Sequence, residues 1–329
     1  MLKIQSKASA PAKVILFGEH FVVYDKMAVV MAIDKRAYVT VEPRADDKIV
    51  VRSKAMGVSG AFTLNGRYQP IEGEWEGEVK FKPLYALAKN IMDLFGEIVG
   101  LEIKIDSSIP ISAGLGSSAA VSVASAAAIL DLLEIDFSRD MIFKLALESE
   151  KIIHKNPSGV DPAISTYGGI IVYRRSEGIR QMDIDVDLPL IIGNTRIERS
   201  TGEIVLRVSE IRRRYQTVID RIMDAGDSLA ALGVEALRRG DLKTLGELMN
   251  INHSLLCALG VSSEAIENLI NAARRSGALG AKLTGAGGGG CIIALSLPED
   301  AHRVAEAIRH AGGESFITNK ALEGVKIEK

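Results

Sequence analysis

The chain has 329 residues, 47% of them hydrophobic and 25% charged, with a formal net charge of −2. That balance offers no basic surface for nucleic acid, and two cysteines, Cys257 and Cys291, without C-x-x-C spacing exclude a disulfide framework or a zinc ribbon and point to a reducing, cytoplasmic setting. Residues 1–11 lack the apolar core of a signal peptide, and the longest apolar stretch, residues 119–130, is broken by Ser122 and Ser125, well short of the roughly 20 residues that span a bilayer.

Residues 14–17, 29–32, 38–41 and 49–51 are short β-rich runs separated by turn or charged residues. Lys13 opens the first run and Gly18-Glu19-His20 closes it. A lysine at a strand mouth is ordinarily solvated, and His20, outside any H-E-x-x-H spacing, reads as a hydrogen-bonding histidine rather than a zinc ligand. Residues 84–95 and 119–133 read as helices flanking a strand at 101–105, which makes the first half mixed α+β.

Between that strand and the second helix lies Pro110-Ile-Ser-Ala-Gly-Leu-Gly-Ser-Ser-Ala-Ala120. Its glycines let backbone N–H groups converge on an oxyanion at a helix N-terminus. Ala119 replaces the third glycine of G-x-G-x-x-G, and no G-x-x-x-x-G-K-[ST] occurs, so Rossmann and Walker-A readings fall. The plainer alternative is that the serines only cap the alanine-rich helix. A serine hydroxyl here is also a ligand type that suits Mg²⁺ beside nucleotide phosphates.

The next predicted helix, residues 141–153, carries a polar stripe of Lys144, Glu148, Lys151 and Lys155. A second stripe at the same spacing is Phe143, Leu147, Glu150 and His154, which sets a carboxylate among residues that should face inward. Glu150 therefore needs a partner, either a metal ion or, as is more usual for buried charge, an arginine or lysine. The turn-rich segment Asn156-Pro-Ser-Gly-Val-Asp161 follows, and Asp161 before Pro162 is by default a helix N-cap.

After a strand at 169–173 and a charged stretch at 174–180, a second unit is expected to start near Asp185, dividing the chain into 1–184 and 185–329. It contains a strand at 190–193, a long helical region at 203–256, a helix at 264–275, a strand at 291–295, a helix at 299–311 and closing short strands. Ser200-Thr-Gly-Glu203 fits a capping box for the long helical region. Lys282-Leu-Thr-Gly-Ala-Gly-Gly-Gly-Gly-Cys291 is costly to order and runs directly into an apolar strand, which argues for close approach of its backbone to a ligand or another loop.

Three of these segments, Pro11-Ala-Lys-Val-Ile-Leu-Phe-Gly-Glu-His20, Pro110 to Ala120 and Lys282 to Cys291, resemble in this order the three motifs of the GHMP kinases. The segment from Glu150 to Thr166 looks like the branch of that family that phosphorylates mevalonate rather than the galactose or homoserine branches. The resemblance implies a two-domain α+β fold, with an N-terminal ribosomal-S5-like domain, a C-terminal ferredoxin-like domain and the active site between them. It implies an ATP-dependent phosphotransferase acting on an alcohol, with ATP as co-substrate, Mg²⁺ as cofactor and mevalonate as small-molecule partner. A homodimer is compatible with it.

Carried over residue by residue, the resemblance makes Asp161 the base or orienter of the acceptor hydroxyl, with Lys13 beside it. Ser118 and Glu150 would hold Mg²⁺. Ser107, Pro110, Gly114, Leu115, Gly116, Ser117, Ser118 and Ala119 would line the nucleotide phosphates, and adenine contacts are sought in residues 54–77. Glu19, His20 and Thr201 would meet the acceptor, supported by the glycines Gly285, Gly287, Gly288 and Gly289. Three positions depart from the family pattern: Ala12 for glycine, Asn194 where some members have aspartate, and Gly202 where a basic residue is frequent. Arg196 and Arg199 are the cations that a phosphorylated acceptor such as phosphomevalonate would need, and a non-catalytic nucleotide sensor is the rival of a different class.

Overall fold

A computed structural model describes the chain except residues 1, 74, 111–112, 154–157, 185 and 199. Ile111, Ser112, His154, Lys155, Asn156, Pro157, Asp185 and Arg199, all singled out above, lie outside the described residues.

The first half is built on two long strands. β1 (Ser6–Phe17) pairs along its length with β2 (Ala28–Arg44), the two joined by a 3₁₀ turn at Phe21–Tyr24. The runs at 29–32 and 38–41 are thus one strand rather than two. Charged Asp34, Lys35 and Arg36 interrupt the apolar pattern where β2 changes partner, from β7 (Ile170–Arg174) at its start to β6 (Gly100–Ser107) at its end.

β3 (Ile49–Ser53) runs parallel to β6 and continues through β4 (Val58–Phe62) to β5 (Tyr68–Glu72). β8 (Gly178–Met182) extends β7, and the C-terminal β13 (Lys326–Ile327) returns to the free edge of β1. Four helices serve this sheet: α1 (Glu76–Phe95), α2 (Ser117–Leu132), α3 (Arg139–Ile153) and α4 (Val160–Tyr167). α1 begins before the expected residue 84 because Pro83 is accommodated inside it, and its carbonyl accepts the Ser149 hydroxyl of α3 at 3.1 Å. α2 is buried on nearly every side, as an alanine-rich helix can be, since small side chains let it sit close to β1 and β2.

The second sheet has the order β10-β11-β9-β12, all antiparallel, from β9 (Leu190–Asn194), β10 (Gly280–Leu283), β11 (Cys291–Leu295) and β12 (Glu314–Thr318). The long helical region resolves into α5 (Thr201–Arg214), α6 (Gln216–Arg239) and α7 (Leu242–Ala258), broken at Tyr215 and again at Gly240-Asp241. Gly240 ends α6 with φ 66, and Asp241 caps α7 by accepting from Thr244 N–H. With α8 (Glu264–Arg275) and α9 (Ala301–His310), the strands form a βαββαβ unit.

Strand alternation gives this sheet two apolar faces. Ile191, Ala281, Leu283, Ile292 and Ala294 pack with α8 and α9. Leu190, Ile192, Ile293 and Leu295 face the opposite way, into one continuous core shared with β1, β2, α2, α6 and α7. That shared core holds the two sheets together and leaves a cleft along the end of β1.

Candidate active site

Lys13 is the residue around which the cleft is organised, and it is only 5% exposed, contrary to the solvated lysine expected of a strand mouth. Its backbone N–H donates to Leu115 of the glycine loop at 2.9 Å. A Cβ on Gly116 would lie 2.8 Å from the Lys13 side chain, and Gly116 has φ 76, so only glycine lets the loop close on the lysine stem. The far end of Lys13 forms an ion pair with Asp161 at 3.3 Å.

Two short spacings aim that pair. Ser165 of α4 donates to the Pro11 carbonyl of β1 at 2.9 Å. Asp161 lies one turn before Ser165 and Lys13 two residues after Pro11, so each shares a face with its anchor. The default N-cap role of Asp161 is not what the fold uses: Gly159, with φ 77, occupies that position and no side chain caps α4. Asp161 is left free to face the cleft.

The serines do not cap α2 either. Its N-cap is Gly116, without a side-chain hydrogen bond, so Ser117 and Ser118 open the first turn with hydroxyls toward the cleft. The cleft of about 420 Å³ also takes in Ile15, His20, Val22, Val23, Pro110, Gly114, Asp161, Thr201, Val205 and Gly285. A second hollow of about 720 Å³ continues past Ser117 and Ser118, lined by Ala55, Met56, Phe81, Pro83, Leu84, Ile109 and Val121 together with Ser107. Ser107 accepts from the Ile109 N–H at 3.1 Å, fixing the turn at the loop's entrance. The first turn of α2 thus stands between two adjoining hollows that meet at Ser117 and Ser118.

Among the described residues, neither an arginine nor a lysine is bonded to Glu150. Its Oε2 is buried without a hydrogen-bond partner. Burial first, then the Asp161 charge, push its carboxyl up to about 7, and Lys13 offsets only part of this. An orphaned carboxylate oxygen beside a second carboxylate is a donor set that fits a hard divalent cation, and Ser118 supplies an oxygen ligand of the same kind.

The other grouping of metal-ligating side chains among the described residues, His253, Cys257 and Glu267, is arranged for protons instead. His253 Nδ1 faces the Leu283 N–H at 3.5 Å, so Nε2 carries the ring proton and donates to Glu267 at 2.9 Å. A metal on Nε2 would force a proton onto Nδ1 against that N–H. Cys257 and Ser262 also donate to Glu267, and burial holds the Cys257 thiol at about 11.

Glu19 and His20 diverge. The His20 ring donates from Nε2 to the Ala286 carbonyl at 2.8 Å, which matches the hydrogen-bonding histidine expected and ties it to the glycine run. Glu19 also borders the cleft, but its carboxylate is 1% exposed, held in an ion pair with fully buried Lys282, and accepts from Asn252 at 3.3 Å. Lys282 is a charge inside the buried strand β10, a signal of the same kind as Glu150, although the sequence marks it only as the start of the glycine run. Desolvation lowers its pKa and Glu19 opposes that shift.

The glycine run is ordered by close approach to neighbouring loops. A Cβ on Gly287, at φ 82, would meet the Val261 carbonyl at 2.1 Å, and Gly288 N–H donates to that same carbonyl. Gly289 packs on Ile197, and Gly285 reaches the cleft. Ser200 caps α5 by accepting from Glu203 N–H at 3.4 Å, as the capping-box pattern predicts, which sets Thr201 at the cleft. Ala12 is wholly buried in β1, Asn194 accepts from the Arg196 N–H, and Gly202 has open space around it.

A glycine loop at a helix N-terminus, a buried lysine paired with a half-buried aspartate and an uncompensated carboxylate define a phosphotransferase site between two α+β units. Residues 83–169 match the family profile "GHMP kinases N terminal domain" and residues 234–314 match "GHMP kinases C terminal". The chain is 40% identical to the mevalonate kinase of Pyrococcus abyssi, over 98% of this chain and 97% of that one. It is 39% identical to that of Archaeoglobus fulgidus, over 98% and 99%. Among solved structures, L. major mevalonate kinase in complex with R-mevalonate superposes with a TM-score of 0.84 at 26% identity, covering 97% of this chain and 98% of that chain. The Methanococcus jannaschii mevalonate kinase gives 0.82 at 29% identity, covering 96% and 98%. The chain belongs to the GHMP kinase family, in its mevalonate kinase branch. Its fold is the two-domain fold of that family, and membership implies ATP as phosphoryl donor. No helix among the described residues is long and apolar enough to cross a membrane.

Proposed function

We propose that the protein transfers the γ-phosphoryl group of ATP to the 5-hydroxyl of mevalonate. The observation that carries this reading is the ion pair of buried Lys13 with Asp161, which lies against the glycine loop and leaves the carboxylate open to the cleft. Phosphoryl transfer asks for positioning and for stabilisation of spread negative charge more than for covalent chemistry. Asp161 takes or orients the hydroxyl proton, and Lys13 stabilises the developing alkoxide and the transferred group. The first-turn amides of α2 and the hydroxyls of Ser117 and Ser118 receive the phosphates, with Gly114, Leu115, Gly116 and Ala119 shaping the loop.

Glu150 and Ser118 would hold Mg²⁺. The ion, when bound, neutralises charge on the triphosphate. Adenine fits the apolar hollow beside Ala55, Met56 and Val121, next to Ser107. His20 and Thr201 face the acceptor, while Glu19 acts from behind through Lys282. Residues 1–184 and 185–329 would be the two units that this arrangement brings together, with β13 of the second returning to the sheet of the first.

Arg196, one of the cations a phosphorylated acceptor would want, does not line the cleft and donates one guanidinium N–H to the Gly312 carbonyl at 3.1 Å, which favours the unphosphorylated acid over phosphomevalonate. A coupled ADP-release assay across mevalonate, phosphomevalonate, homoserine and galactose tests the reading. Mevalonate should be turned over fastest; preference for another acceptor sinks the substrate assignment, and silence with all four supports a nucleotide sensor.

A further inference from the structure

The loop that serves the cleft is gripped from behind by side chains that the cleft never meets. Residues 18–27 bring His20, Val22 and Val23 to the cavity. His20 and Asp25 hold left-handed backbone, φ 61 and 60. Residues with side chains adopt that conformation at a cost, so the surroundings must impose it.

Behind the loop, Asp227 of α6 accepts from the Met27 N–H at 2.7 Å and from Arg174 at 2.9 and 3.1 Å. Arg174, the last residue of β7, gives its other terminal nitrogen to the Asp25 carbonyl at 2.9 Å. Ser176 N–H closes on the Asp25 carboxylate at 2.8 Å. Phe21 wedges the middle of the loop into the core of α8 and α9, and Gly226 on α6 makes room for it, since a Cβ there would lie 2.3 Å from the ring. One carboxylate and one guanidinium, from opposite halves of the chain, thus bond both to the loop and to each other.

We propose that Asp227 and Arg174 are positioning residues that hold the His20 loop in its binding geometry and so set affinity for the acceptor. The inference rests on the reading of His20 as an acceptor contact. Neither residue lines the cleft. The pair is largely shielded, with side chains 27% and 19% exposed, so its charge-assisted bonds are strong enough to hold strained backbone. Small displacements of a binding group from remote changes are costly in rate and affinity.

The test uses Asp227→Ala, which removes both bonds, and Asp227→Asn, which keeps an acceptor for Met27 N–H but not the charge. Arg174→Ala, which releases Asp25 from the other side, is the second route if Asp227→Ala does not fold. Asp227→Ala should raise KM for mevalonate about tenfold and leave KM for ATP unchanged, with Asp227→Asn recovering part of the loss. The double alanine variant should be no worse than the poorer single one, because the pair acts as a unit. Amide hydrogen exchange on the free enzyme should quicken across residues 21–27 in Asp227→Ala. Reduced thermal stability with unchanged acceptor KM and unchanged exchange would overturn the proposal. Should the wild type prefer a different acceptor, the mevalonate reading falls alone, and exchange together with KM for that acceptor still decides the role of the pair.

Discussion

Glu150→Gln should stabilise the metal-free protein at alkaline pH while impairing its use of Mg²⁺. The Glu150 carboxyl sits at about 7 against an ordinary 4.5, through burial first and the Asp161 charge second. A rise of about 2.5, that is 7 minus 4.5, at 1.36 kcal/mol per pH unit is about 3 kcal/mol. Because the folded-state value is the higher one, the folded protein binds the extra proton between these two values. The associated stability is full below about pH 4.5 and is lost as pH rises through about 7.

The glutamine variant has no such loss. With an unfolding entropy of about 2.1 cal/mol/K per residue over 329 residues, 3 kcal/mol corresponds to about 4 °C in Tm. Calorimetry in EDTA should therefore find the variant about 4 °C more stable near pH 8, with the gap closing toward about pH 4.5. Equal Tm values throughout would refute the claim that this carboxylate is charged and uncompensated. A Mg²⁺ titration of turnover should show a raised requirement in the variant, and an unchanged curve would remove Glu150 from the metal set.

Lys13→Met and Asp161→Asn should each lower kcat by about 10²–10⁴ without unfolding the protein, the range typical of a lost acid–base group, and near-native turnover in either would take that residue out of the mechanism. Lys282→Met strands the Glu19 carboxylate without its cation and should cost about 3–5 kcal/mol in urea unfolding. The double variant Glu19→Gln with Lys282→Met should regain much of that loss; no recovery would mean that the pair does not act through charge.

Much of the site follows from local pattern. The glycines and serines of residues 114–118 announce an anion-binding turn, and helical spacing alone puts Glu150 on an inward face. Spacing, however, cannot say what meets that carboxylate. It also cannot tell that Gly159, rather than Asp161, caps α4, because the cap depends on where the chain enters the helix.

What the sequence determined by itself was chemistry carried within a turn or two of backbone: a phosphate cradle, a misplaced carboxylate, a costly glycine run. The tertiary structure alone decided which of those groups meet. Lys13 becomes a buried partner of Asp161 only because α4 docks on β1 through Ser165, and the Glu19 carboxylate at the cleft is tied up in a buried ion pair only because Lys282 waits 263 residues away. Periodicity is written in neighbouring residues, whereas pairing across such distances is set by how the two sheets share one core.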